Sequence, residues 1–555
     1  MNLTPGRAPR HPAASGPARR DFLRGAAAAA GAGALAACAA TPPRPAGGAA
    51  RPGGQALAAA RPATPAPATA RAAAAGPADW AALRRSLATG TLVRRGDPGY
   101  AAARLLFEPR FDYQRPAAVA YCRKPADVAA CLDFARRFGL PVTARSGGHS
   151  YAGWSGNTGG LVVDVTPMHT FRDGPAPGTV TVGSGLHLID FYARLAARGV
   201  AVPGGSCATV GIAGLTLGGG VGVVSRAYGL TCDNLTAVQL VTADGTTVDC
   251  SPAQHADLFW ACQGGGGGNF GVATSFTFRT RPLASLVVFF LSWPWADAAR
   301  VIAGWQAWAP HAPDALWSNL HLTAAAGGTT PAVEVGGTFL GTPAQAGPLL
   351  QELYARAGSP PSSTYLQDTP YLDAMLLMAG CSGMTVAECH LPWQAPGGTL
   401  TRSPSFARSD FFTRPLPPAA ISALLAGVTR MQQVNAEPGG IGAVAFDALG
   451  GAVNRVHPAA TAFVHRSALF LAQYSTSWTA GPGGAGARRQ RAWLDSVYAA
   501  AHPHASGGAY QNYLDPRLPG WQAAYYGASY ARLAQVKAAY DPQRLFRFPQ
   551  GITPG

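Results

Sequence analysis

The sequence predicts an α+β protein with more than one domain, and three observations support this class. The chain has 555 residues, too many for one ordinary core, and 48% hydrophobic against 13% charged residues excludes a wholly disordered chain. Up to about residue 198, short strand patterns alternate with helical ones, which is typical of α/β layers. From about residue 285 to 480 the strands lengthen, which predicts an antiparallel sheet with helices on one face.

The elements of the first half follow from apolar spacing and from turn residues. Pro125 and Gly139 bracket a pattern in which apolar residues recur at helical spacing. The predicted strands span 119–122, 141–144, 161–165 and 179–182, and the predicted helices span 126–138 and 186–198.

The second half is expected to hold the antiparallel sheet. Strands are predicted over 286–293, 333–339 and 461–473, and helices over 296–308, 343–357, 487–502 and 531–539. No internal repeat is visible, and no purely apolar run is long enough for a permanent membrane span. Five tryptophans fall in this half, and core packing is the favoured account of them: 293, 295, 305, 308 and 317.

The N-terminal residues are predicted to form an export leader followed by a tether. Arg19 and Arg20 precede a short Ala-rich apolar run, which is similar to a twin-arginine signal for folded cargo. Cys38 ends a segment that resembles a lipoprotein box, although ordinary cleavage nearby fits as well. We assign 1–40 to the leader and 41–78, rich in Ala and Pro, to the tether. Periplasmic, cell-surface or secreted localisation follows, with a lipid anchor at Cys38 as one form.

The net charge of +16 does not indicate nucleic-acid binding. Residues 1–95 hold 13 arginines and only two acidic residues, Asp21 and Asp79, so +11 of the charge lies there. The remaining +5 is spread over 460 residues, whereas a nucleic-acid groove concentrates its basic residues on one folded face. No metal site is predicted either, because His502 and His504 lie in a Pro- and Gly-containing segment and are expected to be solvated.

Four glycine-dense segments between residues 146 and 271 predict a dinucleotide cofactor. They are 146–149, 204–207, 211–222 and 264–271, and two of them carry a nucleophile, His149 or Cys207. Glycine lets the backbone approach a ligand closely and point N–H groups at phosphate oxygens. Among the other cysteines, Cys381 and Cys389 lie in one polar loop and are the first pair to test for a disulfide. The disulfide connectivity as a whole does not follow from the sequence.

The motifs around these glycines, from Arg145 to Ser150 and from Gly205 to Gly211, resemble the berberine-bridge-enzyme-like flavin oxidases of the vanillyl-alcohol-oxidase family. Similarity to the same group extends to residues 257–260, 264–271 and 510–513 and to the end of the chain. The resemblance implies a PCMH-type FAD-binding domain of two subdomains over 79–284, with its core at about 113–284. It also implies a substrate domain over 285–500 and a C-terminal segment, 501–555, that returns to the FAD-binding domain.

The resemblance further implies that FAD is attached at two points. His149 matches the histidine that bonds the flavin 8α carbon, and Cys207 matches the cysteine that bonds C6 in doubly linked members. The other residues expected to bind the cofactor are Arg145, Ser146, Gly147, Gly148, Ser150, Gly205, Thr209, Val210, Gly211, Gly214, Gly218, Gly219, Gly220, Gly222, Asn269, Gly271, Val272 and Asn512.

The catalytic candidates are Tyr510, Tyr513 and Gln473. Alcohol oxidation needs a base for the hydroxyl proton while hydride leaves for flavin N5. Tyr510 is the first candidate, with Tyr513 as its substitute, and its pKa would have to be lowered from about 10. The expected reaction oxidises an alcohol carbon of a sugar, oligosaccharide or secondary metabolite and passes electrons to O2, giving H2O2. A dehydrogenase with another acceptor and a non-catalytic flavin-binding protein remain alternatives. The oligomeric state does not follow from the sequence.

Overall fold

The computed structural model describes residues 74–328, 330–434, 439–479 and 483–555. The predicted leader and its Cys38 lie outside these described residues. The predicted tether ends earlier than expected, because helix α1 begins at Pro77 and buries Trp80 and Leu83. Trp80 packs against Phe134, with ring centroids 4.6 Å apart. No helix in the described ranges combines the length and hydropathy that a membrane crossing requires.

The N-terminal half contains two main sheets. The helices are α1 Pro77–Ser86, α2 Tyr100–Ala103, α3 Pro125–Phe138, α4 Leu188–Ala196, α5 Ile212–Leu217, α6 Ser225–Tyr228 and α7 Ala256–Ala261. The strands are β1 Thr91–Arg94, β2 Ala118–Tyr121, β3 Val142–Arg145, β4 Leu161–Asp164, β5 Phe171–Asp173, β6 Thr179–Gly183, β7 Val200–Ala201, β8 Leu235–Val241, β9 Thr247–Cys250, β10 Val272–Arg279 and β11 Arg281–Pro282. Strands β2, β4 and β3 pair in parallel with β1 antiparallel at one edge, whereas the sheet β5-β6-β10-β8-β9 is antiparallel.

The second half is organised around one seven-stranded antiparallel sheet in the order β15-β12-β14-β13-β17-β18-β16. Its strands are β12 Ser285–Trp293, β13 Leu316–Ala325, β14 Ala332–Phe339, β15 Ser363–Pro370, β16 Ser405–Phe412, β17 Ile441–Ala448 and β18 Phe470–Ser477. The helices are α8 Ala298–Trp308, α9 Pro343–Ala357, α10 Tyr371–Met378, α11 Pro418–Thr429, α12 Gly451–Arg455, α13 Gly484–Ala501, α14 Trp521–Tyr526 and α15 Tyr530–Tyr540.

Alternation along these strands gives the sheet two different faces. Leu320, Val444 and Phe446 point to one face, where they share a core with residues of α8, α9, α11 and α13. The opposite face carries Asn319 and Asp447, which line a cavity shared with the N-terminal half. The predicted antiparallel sheet with helices packed on one face is therefore confirmed. Of the five tryptophans, 293, 305 and 308 lie in the core, 295 packs against it, and 317 lines the cavity.

The predicted strand over 461–473 is wrong for its first nine residues. A loop runs to residue 469, and β18 begins only at Phe470. The guanidinium of Arg466 holds this loop by donating to both carboxylate oxygens of Asp233, at 2.7 and 2.8 Å. A buried charge pair outweighs the β propensity of the neighbouring apolar residues.

The end of the chain returns to the N-terminal half. Phe546 forms a parallel bridge with Val142, and the backbone N–H of Ile552 donates to Asn269 Oδ1 at 2.9 Å. The buried Lys537 ammonium lies 2.6 Å from the Asp541 carboxylate and donates to the carbonyls of Asn269 and Phe546. These contacts attach residues 537–552 to the N-terminal half.

The predicted pairing of Cys381 with Cys389 is confirmed, with a Cα–Cα distance of 5.8 Å. Five other cysteines of the described ranges are buried and reduced: Cys122, Cys131, Cys232, Cys250 and Cys262.

Candidate active site

One cavity of about 440 Å³ joins the glycine-rich loops to the open face of the seven-stranded sheet. The N-terminal half contributes the loops around His149 and Cys207, and the sheet contributes side chains of β13, β14, β17 and β18. The cavity lining includes Arg145, Ser146, Gly147, Gly148, His149, Ser150, Gly205, Cys207, Val210, Gly211, Gly214, Gly222, Gly271, Val272, Gln473, Tyr510, Asn512 and Tyr513. Most of the residues predicted to form the site are therefore brought together.

Two of the glycine-rich loops touch through their backbones. A Cβ on Gly147 would lie 2.2 Å from the Gly211 nitrogen and 2.5 Å from the Thr209 carbonyl oxygen. Glycine is required at position 147 because a side chain would push the two loops apart. By contrast, a Cβ on Gly214 would meet no atom within 4 Å, because this glycine faces the cavity. The loops thus leave an open groove with backbone on its walls.

His149 is held rigidly at the wall of this groove. Its Nε2 lies 2.7 Å from Thr209 Oγ1, and its ring stacks on Phe107 with centroids 3.9 Å apart. Burial, with a further contribution from the nearby His187, lowers the pKa of His149 to about 3. The imidazole is consequently neutral at physiological pH and retains the lone pair that a nucleophile needs. Thr209 itself does not line the cavity and acts through His149.

Cys207 lines the same cavity from the loop that also carries Gly205 and Gly211, so the two residues predicted to attach the cofactor border one space.

Gly218, Gly219 and Gly220 do not line the cavity, although the sequence predicted that they would bind the cofactor. They form a tight turn, in which Gly219 and Gly220 have φ of +119° and +87°. The turn packs on the C-terminal segment, since a Cβ on Gly218 would lie 2.0 Å from Asn512 Oδ1. Their role is to bring the C-terminal segment against α5.

Tyr510 fastens this turn. Its hydroxyl oxygen accepts hydrogen bonds from the N–H groups of Gly220 and Val221, at 2.9 and 3.2 Å, and from Asn512 Nδ2 at 2.9 Å. Burial nevertheless raises the pKa of Tyr510 to about 12. This shift is opposite to the lowering that a base near neutral pH would need. The pKa of Tyr513 is also raised, by burial and by the charge of Asp447.

The side chains of Arg145 and Asn269 are both bonded to other parts of the protein. The Arg145 guanidinium is buried and donates to Asp164 Oδ2 at 2.5 Å and to the Ala103 carbonyl at 2.7 Å. Asn269 does not line the cavity, because its side-chain amide bonds the Gly265 carbonyl and the Ile552 N–H. Arg145 nevertheless lines the cavity, so cofactor binding by Arg145 and by Asn269 stays a prediction. His502 is not simply solvated either, since its Nδ1 lies 2.8 Å from Asp410 Oδ1.

Two carboxylates on the sheet face are site residues that the sequence analysis missed. Burial raises the pKa of both Asp447 and Glu334 to about 7, and within the described residues neither carboxylate has a hydrogen-bond partner. The structure supplies Asp447 from β17, the strand next to β18, which carries Gln473. Asp447 stands opposite Asn319, and Glu334 stands opposite His321. A single acidic residue in the otherwise apolar segment 441–448 was the available signal.

Gln473 occupies the same sheet face as these acids. Its Nε2 donates to the Tyr151 hydroxyl at 3.0 Å, and the Tyr151 ring stacks on Tyr513 with centroids 5.8 Å apart. Tyr513 in turn lies edge-on to Tyr510, at 5.0 Å. These aromatic contacts connect the sheet to the C-terminal segment and fix the shape of the cavity between the two halves.

The residues present fit an FAD. A dinucleotide matches the open groove beside Gly214 and the glycine turns that keep other atoms out of that groove. The neutral His149 on the groove wall matches a ligand with a reactive ring edge. The backbone of 146–150, 205–211 and 271–272 would hold it, and the adjoining sheet face leaves room for a substrate.

Comparison with known proteins agrees with this site. Residues 116–251 match the family model of the FAD binding domain, and residues 509–553 match that of berberine and berberine like proteins. The chain is 34% identical over 479 residues to an uncharacterised FAD-linked oxidoreductase of Bacillus subtilis (strain 168), covering 85% of this chain and 98% of that one. It is 28% identical to a chitooligosaccharide oxidase of Gibberella zeae, with 79% and 87% covered. The solved structure of Physcomitrella patens BBE-like 1 superposes with a TM-score of 0.76 at 30% identity, with 85% and 99% covered.

The fold, the cavity and these similarities lead to one conclusion. The PCMH-type fold is the one predicted, with mixed α+β content and antiparallel sheets. The chain belongs to the berberine-bridge-enzyme-like family of FAD-linked oxidoreductases.

Proposed function

We propose that the protein is an FAD-dependent oxidase that converts an alcohol carbon of a sugar or oligosaccharide into a carbonyl, with O2 reduced to H2O2. The observation that carries this proposal is the position of Asp447. Its carboxylate has a pKa of about 7 and lines the cavity that the flavin loops also line. A base of that pKa is matched to proton removal near neutral pH, whereas a tyrosine of pKa about 12 is not.

In the proposed mechanism Asp447 accepts the proton of the substrate hydroxyl. When bound, FAD supplies the acceptor for the hydride that leaves the same carbon. Asn319, opposite Asp447 on β13, places an amide beside the carboxylate, and Gln473 positions the Tyr151 hydroxyl. Glu334 lies two strands away from Asp447 and is assigned to a polar group of the substrate rather than to the reacting hydroxyl.

We propose that the flavin is attached covalently at two points. His149 Nε2 is occupied by Thr209, so Nδ1 is the nitrogen assigned to the 8α carbon. Cys207, on the facing loop, is assigned to C6. Attachment from two loops that touch through Gly147 would keep the ring edge fixed while the sheet side of the cavity stays open.

The substrate class is inferred from the cavity wall and from one relative. The wall combines the rings of Phe290 and Trp317 with the polar side chains Asn319, His321 and Glu334. Aromatic faces next to hydrogen-bonding groups suit a pyranose ring, which is apolar on its faces and polar at its rim. The chitooligosaccharide oxidase to which the chain is similar is named for an oligosaccharide substrate.

We further propose export by the twin-arginine route. The supporting observation is the sequence alone, with Arg19 and Arg20 before the apolar run. Periplasmic location or secretion, with or without lipid at Cys38, is to be read from the mature N-terminus. Replacing both arginines by lysine should retain the precursor in the cytoplasm, and an unchanged distribution would contradict the proposal.

A substrate panel tests the oxidase assignment. Purified yellow protein is mixed anaerobically with mono- and oligosaccharides and with aromatic alcohols, and the loss of flavin absorbance is recorded. The expected result is rapid bleaching by at least one oligosaccharide and formation of H2O2 on admission of air. Bleaching without peroxide would establish a dehydrogenase, and an absence of bleaching by every alcohol would leave only flavin binding.

A further inference from the structure

A cluster of three metal-binding side chains lies outside the proposed active site. His187 immediately precedes helix α4, Asp190 lies on the first turn of that helix, and His390 follows the disulfide between Cys381 and Cys389. One potential ligand atom from each of the three residues lies within 4.8 Å of the other two. His390 lies 200 positions after Asp190 in the chain, so only the tertiary structure brings the three residues together.

The hydrogen bonds of His390 demand a positive charge at this cluster. Its Nδ1 lies 2.8 Å from the Val386 carbonyl oxygen, and its Nε2 lies 3.0 Å from Asp190 Oδ2. Both neighbours are acceptors, and a neutral imidazole carries only one N–H. The Nδ1–H must serve the carbonyl, so Nε2 presents a lone pair to a carboxylate unless a proton or a metal ion lies between them.

His187 distinguishes these two possibilities. A proton on His390 completes the pair with Asp190, yet it leaves Nε2 of His187, a residue only 7% exposed, without a hydrogen-bond partner among the described residues. Its Nδ1 lies 3.9 Å from Asp190 Oδ2, too far for a hydrogen bond. Two ligands of one zinc ion, each about 2.0–2.1 Å from the metal, lie roughly 3.3 Å apart, so small side-chain movements would bring all three atoms to one ion.

We propose that His187, Asp190 and His390 bind a divalent transition-metal ion, Zn²⁺ by chemical preference, with water as the fourth ligand. Two imidazoles and one carboxylate are a ligand set that zinc accepts, and three protein ligands leave one coordination position open. The His390 N–H bond to the Val386 carbonyl is the outer contact that commonly orients a zinc-bound histidine. The Asp190 side chain is 32% exposed, which gives an ion a path from solvent.

The ion would connect the segment that carries His390 to the glycine-rich loop that carries Cys207. His187 forms an antiparallel bridge with Gly211, and the N–H groups of Leu188 and Ile189 donate to the carbonyls of Val210 and Ala208. The loop that carries Cys207 is thus attached directly to one metal ligand, while His390 directly follows the segment closed by the disulfide. Bound metal should therefore stabilise the protein without taking part in the oxidation of substrate.

Zinc content and zinc binding test the proposal on full-length, tag-free, flavin-loaded protein. We expect about one Zn²⁺ per chain by mass spectrometry of the metal, and rebinding of Zn²⁺ after treatment with a chelator. His390→Gln and Asp190→Asn should each weaken binding by about 100-fold or more. His311→Gln, at an exposed histidine outside the cluster, is the matched control and should bind as the wild type does.

A thermal measurement separates metal binding from a simple ion pair. The melting temperature of the wild type and of His311→Gln should rise when Zn²⁺ is added, and that of Asp190→Asn, which keeps the side-chain shape, should not. Flavin absorbance shows that each variant is folded. Equal zinc content and equal zinc response in wild type and Asp190→Asn, or no zinc binding by the wild type, would overturn the proposal and leave His390 as an imidazolium paired with Asp190. Neither result depends on the identity of the oxidised substrate.

Discussion

Asp447 and Asn319 stand directly opposite each other on the adjacent antiparallel strands β17 and β13, on the face of the sheet that closes the flavin cavity. Val444, Phe446 and Leu320 point the other way into the helix-covered core, so the register of this strand pair is held by apolar burial. A slip of one residue would place the carboxylate in the core. The core therefore determines where the base lies.

Replacing Asp447 by Asn should lower kcat by about 10²- to 10⁴-fold, because the hydroxyl proton loses its acceptor while the cavity keeps its shape. The measurement is anaerobic flavin reduction in a stopped-flow instrument with the best substrate of the panel. Glu334→Gln is the matched control, and we expect it to raise KM more than it lowers kcat. Equal loss of kcat in both variants would contradict the assignment of the base to Asp447.

The pH dependence of kcat/KM should report the same carboxylate. Burial raises the pKa of Asp447 from 3.8 to about 7, and the active form is the ionised one, so the rate should fall as pH drops through about 7. Because the pKa of Glu334 is also about 7, the profile is best recorded in Glu334→Gln. A rate that is independent of pH between 5 and 8 would refute this prediction.

The contribution of Asp447 to the stability of the folded protein should decrease as pH rises, whereas its contribution to the rate increases. The folded protein holds the Asp447 proton more tightly than the unfolded chain does, so this group favours folding at low pH and loses that contribution as pH rises from about 4 through 7. Relative to the wild type, the melting temperature of Asp447→Asn should therefore increase between pH 4 and pH 8. Parallel melting curves for the two proteins across that range would show that the carboxylate is not buried.

Tyr510→Phe should affect stability more than chemistry. The substitution removes the oxygen that accepts the N–H groups of Gly220 and Val221, and a buried unsatisfied donor costs about 1–3 kcal/mol. Thermal unfolding of the flavin-loaded protein gives the cost, and single-turnover kinetics give the rate. If kcat of Tyr510→Phe fell as far as that of Asp447→Asn, the tyrosine would be the base after all.

Alanine substitutions at two glycines should separate loop contact from flavin contact. In Gly147→Ala the new methyl carbon collides with the Gly211 backbone, so we expect little folded protein. In Gly214→Ala the methyl group enters the cavity without touching the protein, so the chain should fold but retain less flavin. The ratio of absorbance at 450 and 280 nm, together with circular dichroism, checks both outcomes. Full flavin content in Gly214→Ala would place the cofactor elsewhere in the cavity.

Two covalent bonds predict a stepwise loss of flavin. Acid precipitation should leave the yellow colour with the polypeptide in the wild type and in each of His149→Ala and Cys207→Ala, and should release it only from the double variant. Intact mass gives an independent reading, with an added FAD in the first three proteins. A polypeptide of unmodified mass in the wild type would refute both attachments.

The residues that form the flavin groove could be predicted from the sequence because they are local. A glycine needed for backbone contact, as at 147, or a histidine within its turn, as at 149, lies in a short segment that is recognisable without the rest of the chain. Residues close together in the chain also determine the helix over 343–357, the strand at 286–293 and the disulfide between Cys381 and Cys389, so these features could be inferred from the sequence.

Only the tertiary structure decided which polar side chains face the cavity and which serve the fold. The roles of Asp447 and Glu334 depend on strand register, and the roles of Tyr510 and Arg145 depend on partners more than 15 residues away in the chain. The meeting of His187 with His390 depends on the packing of two distant segments. The physical reason is the same in each case. Local spacing determines backbone conformation, whereas the ionisation and partners of a side chain are determined by the segments that fold against it.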